Sequence, residues 1–225
     1  MIIFAVDSSS AAGSAAVLKD GELLYEAYAN EGLTHSETLL VRCDEAFQYS
    51  GVLPSQVDVY AVTAGPGSFT GLRIGMGLVK GLAFPGNKPC AAVSTFDALA
   101  EAVKDCGRDV LAVVDARQKR VYCTAYKYEN GVLTEAMAEE IVPLPELAEK
   151  LSAAGIREPL VVGDAAKAAA DAVPGSVLSE EKYWYVHAAY VAKKAESMAE
   201  KGETVSVGDL RPAYHQLSQA ERNRK

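Results

Sequence analysis

The chain has 225 residues, 49% of them apolar, enough for one large or two small packed cores and too apolar for a disordered chain. Against 22 Lys and Arg stand 30 Asp and Glu, a formal net charge of -8, so most of the surface repels a phosphate backbone, and contact with nucleic acid is expected only locally or shared with a partner. The four cysteines, Cys43, Cys90, Cys106 and Cys123, show no CxxC spacing, so reduced thiols in a cytoplasmic protein are expected rather than a zinc site or a disulfide framework.

The first apolar run, IIFAVD, is short and has no basic residue before it, so it reads as a strand rather than a signal peptide. No apolar run reaches about 18 residues, so no membrane span is expected. After SSSAAG, the segments SAAVL and ELLYEAYA read as two strands joined at the tight turn Asp20-Gly21. A helix is predicted from Thr34, where Thr34 and Glu37 fit a capping box, and Gly51 and Pro54 end it. VDVYAVT is a strand, Ser68 to Phe84 a helix, CAAVS a strand and Phe96 to Val103 a helix.

The pattern then restarts. VLAVVD, ending in Asp115, is followed by RVYCTAYKY, the hairpin turn Asn130-Gly131 and VLTEA. Leu144 to Ala153 reads as a helix, LVVGD as a strand, Lys167 to Val173 and Tyr183 to Lys201 as helices, and the basic tail RPAYHQLSQAERNRK as partly disordered. Strand, Asp, loop, strand, turn, strand, then helices occurs twice. This duplication describes an α/β, two-lobed actin-like ATPase fold of the ribonuclease H-like kind, with βββαβα-type domains and mixed sheets. The lobes are expected at 1–106 and 107–225, with a return of the last helix or tail to the first lobe left open.

The stretch AGPGSFTGLRIG, residues 64–75, is the most pronounced local motif. A Walker A loop would need a lysine and a hydroxyl after its last glycine, but Leu72 and Arg73 follow Gly71. A dinucleotide fingerprint would end the first strand of its unit and place an acid about 20 residues on; this loop follows a later strand, and the next acid is Asp97. Packing is the third reading. Gly67, Gly71 and Gly75 recur every four residues, as do Gly77 and Gly81, and small residues at that spacing let another backbone approach. Spacing does not say whether that neighbour belongs to the same chain. From Val59 to Phe96 there is no acid, and Arg73, Lys80 and Lys88 are the only charges. Two readings of this remain: a buried strand and helix, or a contact surface depleted of acids.

FAVDSSS, HSETLL, TAGPGSFTGLRIG and DARQKRVY, in this order, resemble the TsaB family, also called YeaZ, of the actin-like superfamily. The resemblance covers most of the chain; the glycine motif is its most specific part, and residues 144–202 carry little of it. At the tail, His215-Gln216 stands where the family commonly has a leucine- or isoleucine-arginine pair. The resemblance implies a non-catalytic partner of the paralogue TsaD and of the ATPase TsaE, in a complex that transfers a threonylcarbamoyl group to N6 of adenosine 37 in tRNAs reading codons that begin with A. It also implies a homodimer when alone, tRNA contact only through the complex (the basic end Arg222, Arg224 and Lys225 being the one local candidate), no membrane, and no cofactor, with weak adenine-nucleotide affinity left open. An older label for the group is M22 glycoprotease, and the alternative function is an actin-like ATPase or metallopeptidase active in its own right.

Against that alternative, TsaD-like chains carry an HxxxH metal pair where this chain has Thr95 and Leu99, and leucine cannot ligate a metal. Of the three histidines, His35, His187 and His215, none lies in an HExxH, and no GxSxG elbow occurs. The glycine-rich phosphate turn of an ATPase's second domain is replaced by Ala116, Arg117, Gln118, Lys119 and Arg120. A vestigial nucleotide cleft would comprise Asp7, Ser8, Ser9, Asp115, Arg117, Gly163 and Asp164, with Asp7 and Asp115 read either as magnesium-site remnants or as turn caps. The expected partner interface draws His35, Leu39, Leu40, Cys43 and Phe47 from one helix. From the other it draws Gly71, Leu72, Arg73, Gly75, Met76, Val79 and Lys80, some of which must face the chain's own sheet.

Overall fold

A computed structural model describes residues 1–32 and 34–213. The expected sites at His215, Arg222, Arg224 and Lys225 lie outside the described residues.

The first half runs β1 (Ile2–Asp7), β2 (Gly13–Lys19), β3 (Glu22–Ala29), α1 (His35–Ser50), β4 (Val59–Gly65), α2 (Phe69–Ala83), β5 (Cys90–Ser94) and α3 (Thr95–Ala102). The second runs β6 (Val110–Asp115), β7 (Arg120–Glu129), β8 (Val132–Pro143), α4 (Leu147–Ala153), β9 (Leu160–Val162), α5 (Ala166–Ala172), β10 (Val177–Leu178) and α6 (Ala188–Glu200). The sheet orders are β3-β2-β1-β4-β5 and β10-β9-β6-β7-β8. Read from β8, the second is the first repeated. In each, three antiparallel strands form a meander, and two parallel strands follow across helical connections. This duplicated mixed sheet is the actin-like fold.

The described residues form two compact units, Met1–Ala98 with residues 186–213, and Leu99–Tyr185. The first boundary falls inside α3, and α6 packs on β1, β2, β4 and β5, so the last helix belongs with the first unit, the return that the sequence left open. In the first unit Phe4, Val6, Tyr60 and Val62 form a core with Leu39 and Cys43 of α1 and Met76 and Val79 of α2. Phe4 stacks on Phe47 with ring centroids 4.3 Å apart. Strand alternation sends Ile3 and Ala5 to the opposite face, that of α6. The second unit has its own core of Leu111, Val113, Val121 and Val161 under Leu147, Leu151 and Ala169.

Four local expectations change. The capping box does not form: the Thr34 hydroxyl donates to the Glu37 carboxylate at 2.6 Å, and neither caps the backbone. The strand predicted as VLTEA continues to Pro143, paired with β7 on either side of register shifts around Ala125. The helix predicted from Leu144 opens with a 3-10 turn at Leu144–Glu146, and α4 proper starts at Leu147. The last helix starts at Ala188 rather than Tyr183, because His187 stays extended. From there its ring stacks on Tyr28, 4.2 Å between centroids, with Nδ1 3.0 Å from Glu26 Oε2.

Candidate functional site

The loop 64–75 closes on its own chain. Ser68 caps α2 by accepting from Gly71 N–H at 3.2 Å, while its own N–H donates to the Ser9 carbonyl at 2.7 Å. The N–H of Leu72 is used on the Ser68 carbonyl. A phosphate cradle needs such N–H groups aimed at a ligand; here they are spent on the turn Ser8–Ser9 and on the cap.

That turn also explains the four-residue glycine spacing. A Cβ on Gly67 would overlap the Ser9 carbonyl, one on Gly71 the Ser8 carbonyl, and one on Gly75 the Ser8 hydroxyl. The close neighbour of this glycine row is thus the turn after β1. Gly71 and Gly75 are buried under it and leave the list of residues available to a partner.

Asp7, Ser8 and Ser9 are 0%, 0% and 2% exposed, so none presents an open face to a phosphate. Asp7 Oδ1 accepts from the Thr63 hydroxyl at 2.7 Å and from Ser9 N–H at 3.2 Å. Burial pushes the Asp7 carboxyl upward, against the opposing pull of those hydrogen bonds and of His35. The carboxyl is enclosed, and its Oδ1 is used twice within the corner. Its role is the turn cap. His35, in the first turn of α1, braces the same corner, its Nε2 2.7 Å from the Ser10 carbonyl. Thr95 donates to the Pro66 carbonyl at 2.7 Å. Among the described residues no group of three or more His, Cys, Asp or Glu could hold a metal ion.

In the second unit Asp115 and Arg117 are exposed and open the β6–β7 turn. Arg117, Gln118 and Lys119 have φ values of 65°, 56° and 57°, three successive left-handed residues and none a glycine. Asp115 Oδ1 accepts from Arg117 N–H, and Asp164 Oδ1 accepts from Asp115 N–H, each at 2.8 Å. The two aspartates therefore serve as turn and strand-end caps. Gly163 is required by its contact with β6, since a Cβ there would overlap the Val113 carbonyl.

The expected interface residues divide by burial. Leu39, Cys43, Leu72, Met76 and Val79 are at most 5% exposed and belong to the core of their own unit. Phe47 is half-buried on Phe4, and His35 and Lys80 are half-buried. Leu40, 62% exposed, and Arg73, whose guanidinium lies 3.9 Å from the Phe69 ring centroid, face outward. Sequence reasoning missed their companions. Val41 (53%) adjoins Leu40 on α1, Tyr49 (64%) and Leu53 (63%) lie at its far end, and Phe84 (75%) follows α2. Gly77 and Gly81 share the Arg73 stripe of α2 and have nothing within 4 Å of an added Cβ. The available signal was angular: Leu40 and Val41 sit off the Leu39, Cys43, Ala46 stripe.

A family model described as TsaD, tRNA N6-adenosine threonylcarbamoyltransferase, matches residues 31–215. The tRNA threonylcarbamoyladenosine biosynthesis protein TsaB of Escherichia coli is 30% identical over 95% of this chain and 94% of its own length. The chain belongs to the TsaB family. A second TsaB, from Haemophilus influenzae, is 38% identical over 54% of this chain and 52% of that protein. The solved structure of YeaZ from Pseudomonas aeruginosa matches with a TM-score of 0.81 and 30% identity, over 95% of this chain and 99% of that one. Another, of an uncharacterized protein with similarity to peptidase YeaZ from the same organism, gives 0.83 and 29%, over 96% and 99%. TsaB relatives are named for threonylcarbamoyladenosine biosynthesis on tRNA, which sets the process this site is read against. Among the described residues no helix is long and apolar enough to cross a membrane.

Proposed function

We propose that this TsaB-family chain is a non-catalytic scaffold subunit of the machinery that places threonylcarbamoyl on N6 of adenosine 37 of tRNA. It pairs with a TsaD-like catalytic subunit, works with a TsaE-like ATPase, self-associates when alone, and meets tRNA only within the complex, in the cytoplasm. The observation that carries this reading is the outward face of α1 and α2. There Leu40 and Val41 are exposed, and Gly77 and Gly81 leave open space on a helix that each glycine weakens by about 1 kcal/mol. Such a face suits close approach by a partner helix, as small residues four apart allow. The acid-free stretch from Val59 to Phe96 adds to it, since interface cores are depleted of charge. The enclosed Asp7 corner and the absence of an HxxxH pair weigh against chemistry by the chain alone.

The test is co-purification with a TsaD-like protein from the same organism. Leu40→Glu combined with Val41→Glu alters two exposed positions, so the chain folds while the complex is lost. Retention of the complex by this double variant sinks the docking face. Stoichiometric metal in the isolated chain, or ATP turnover by it, sinks the non-catalytic role.

A further inference from the structure

The second unit holds a cleft of about 480 Å³ that the scaffold reading does not use. One wall is the end of α3 and the turn after it, with Val103, Asp105 and Cys106; the other is Leu160 of β9 and the segment leaving β10, Leu178 to Glu180. The volume falls within the roughly 300–1,000 Å³ of small-molecule sites.

Ser179 is the informative wall residue. Its main chain is fully engaged: N–H donates to the Val161 carbonyl at 3.1 Å, and its carbonyl accepts from Trp184 Nε1 at 3.2 Å. Its side chain is not. The residue is 7% exposed, yet Oγ has no hydrogen-bond partner among the described residues. Enclosed hydroxyls are normally paired, and leaving one unpaired costs about 1–3 kcal/mol. A polar group of a bound molecule would supply the missing partner. Charge narrows the class of molecule. Glu180 is bonded to Lys182 at 3.0 Å, and Lys182 also lies over the Tyr183 ring, so that pair is locally balanced. The Asp105 carboxylate leaves the wall net negative, beside the aliphatic surface of Val103, Leu160 and Leu178.

The geometry points to a binding site for a small organic amine, its hydrocarbon body on Val103, Leu160 and Leu178, its ammonium near Asp105, and the Ser179 hydroxyl accepting from it. Nothing in this depends on the face of α1 and α2 or on a TsaD-like partner.

Cys106 reports on occupancy. It lines the cleft and is half-buried, whereas Cys43, Cys90 and Cys123 are buried, and burial pushes the Cys43 and Cys123 thiols up to about 12. The full-length chain is treated with N-ethylmaleimide and Cys106 modification is followed by mass spectrometry, with phenethylamine as the probe. Modification slows severalfold and saturably at millimolar phenethylamine. Phenethyl alcohol and hydrocinnamate, of the same shape but neutral and anionic, give no such slowing. Asp105→Asn, at an exposed position where folding is not at stake, abolishes the protection, and Ser179→Ala shifts it to higher amine concentration. No protection, equal protection by all three probes, or undiminished protection in Asp105→Asn overturns the proposal.

Discussion

The Ser8 hydroxyl donates to the main-chain carbonyl of Gly71 at 2.8 Å, tying the turn after β1 to the first turn of α2. The glycines of α2 make that bond reachable. Gly71→Ala puts a methyl group onto the Ser8 carbonyl, a backbone atom that can yield only by moving the turn away. Overpacking of this kind costs about 1–3 kcal/mol. Gly75→Ala meets the Ser8 hydroxyl, which can rotate at the expense of its hydrogen bond, so its cost is the smaller. Urea unfolding of the two variants checks the order; equal stability of Gly71→Ala and the parent would contradict the corner as described.

Asp7 makes a pH prediction. Its folded pKa is raised by burial above the ordinary 3.8, so between that value and the raised one the native state holds a proton that the unfolded state has lost. Stability from this group is therefore full below the ordinary pKa and declines as pH rises through the folded one. Asp7→Asn keeps an acceptor for Thr63 and Ser9 N–H and carries no charge to bury. The difference in Tm, variant minus parent, should rise from acid toward neutral pH. Asp7→Ala removes the acceptor as well as the charge, so in acid, where the parent is neutral, it should cost about 1–3 kcal/mol, and that cost should shrink toward neutral pH. A Tm difference for Asp7→Asn that is flat with pH would mean the carboxylate is not enclosed.

The meanders were legible because their signals are local. Asp20-Gly21 and Asn130-Gly131 have positive φ at both residues, as a tight hairpin requires, and each first strand is an apolar run ending in aspartate. What could not be read depends on partners distant in sequence. β10 is two residues, a strand only because Val177 and Leu178 lie in register with Leu160 and Val161. His187 delays α6 because Tyr28 and Glu26 hold its ring, and those lie about 160 positions away. The glycine row was visible, and its requirement for a close backbone followed from spacing; that the backbone is Ser8 and Ser9 required the fold. The candidate interface was legible as two helices but not as a face: helix angle sets Leu40 apart from the Leu39, Cys43, Ala46 stripe, but which side meets the sheet required the fold.

The β6–β7 turn gives a third test. A non-glycine residue in the left-handed region costs about 1–2 kcal/mol, and glycine costs roughly 0.5–1 in added chain entropy. Gln118 is the exposed middle residue of three such positions. Gln118→Gly should therefore stabilise the chain by about 0.5–1 kcal/mol, from the difference of those two effects. A lowered urea midpoint would show that the Gln118 side chain, whose Oε1 accepts from Arg120 at 3.3 Å, matters more to the turn than its backbone does.

Gly77 separates stability from assembly. It lies in the interior of α2, two residues after the buried Gly75 and on the opposite, exposed side, and an added Cβ there meets nothing within 4 Å. Nothing in the free chain opposes alanine, so Gly77→Ala should stabilise the isolated protein by about 1 kcal/mol through helix propensity alone. If the open space is where a partner helix rests, the same methyl group intrudes on that contact and weakens complex formation with a TsaD-like subunit severalfold. Opposite signs in the two measurements, urea unfolding of the free chain and titration of the pair, are the signature of a face kept small for a partner. A variant that is more stable and binds unchanged would leave Gly77 outside the contact and move the docking face toward Leu40 and Val41 on α1.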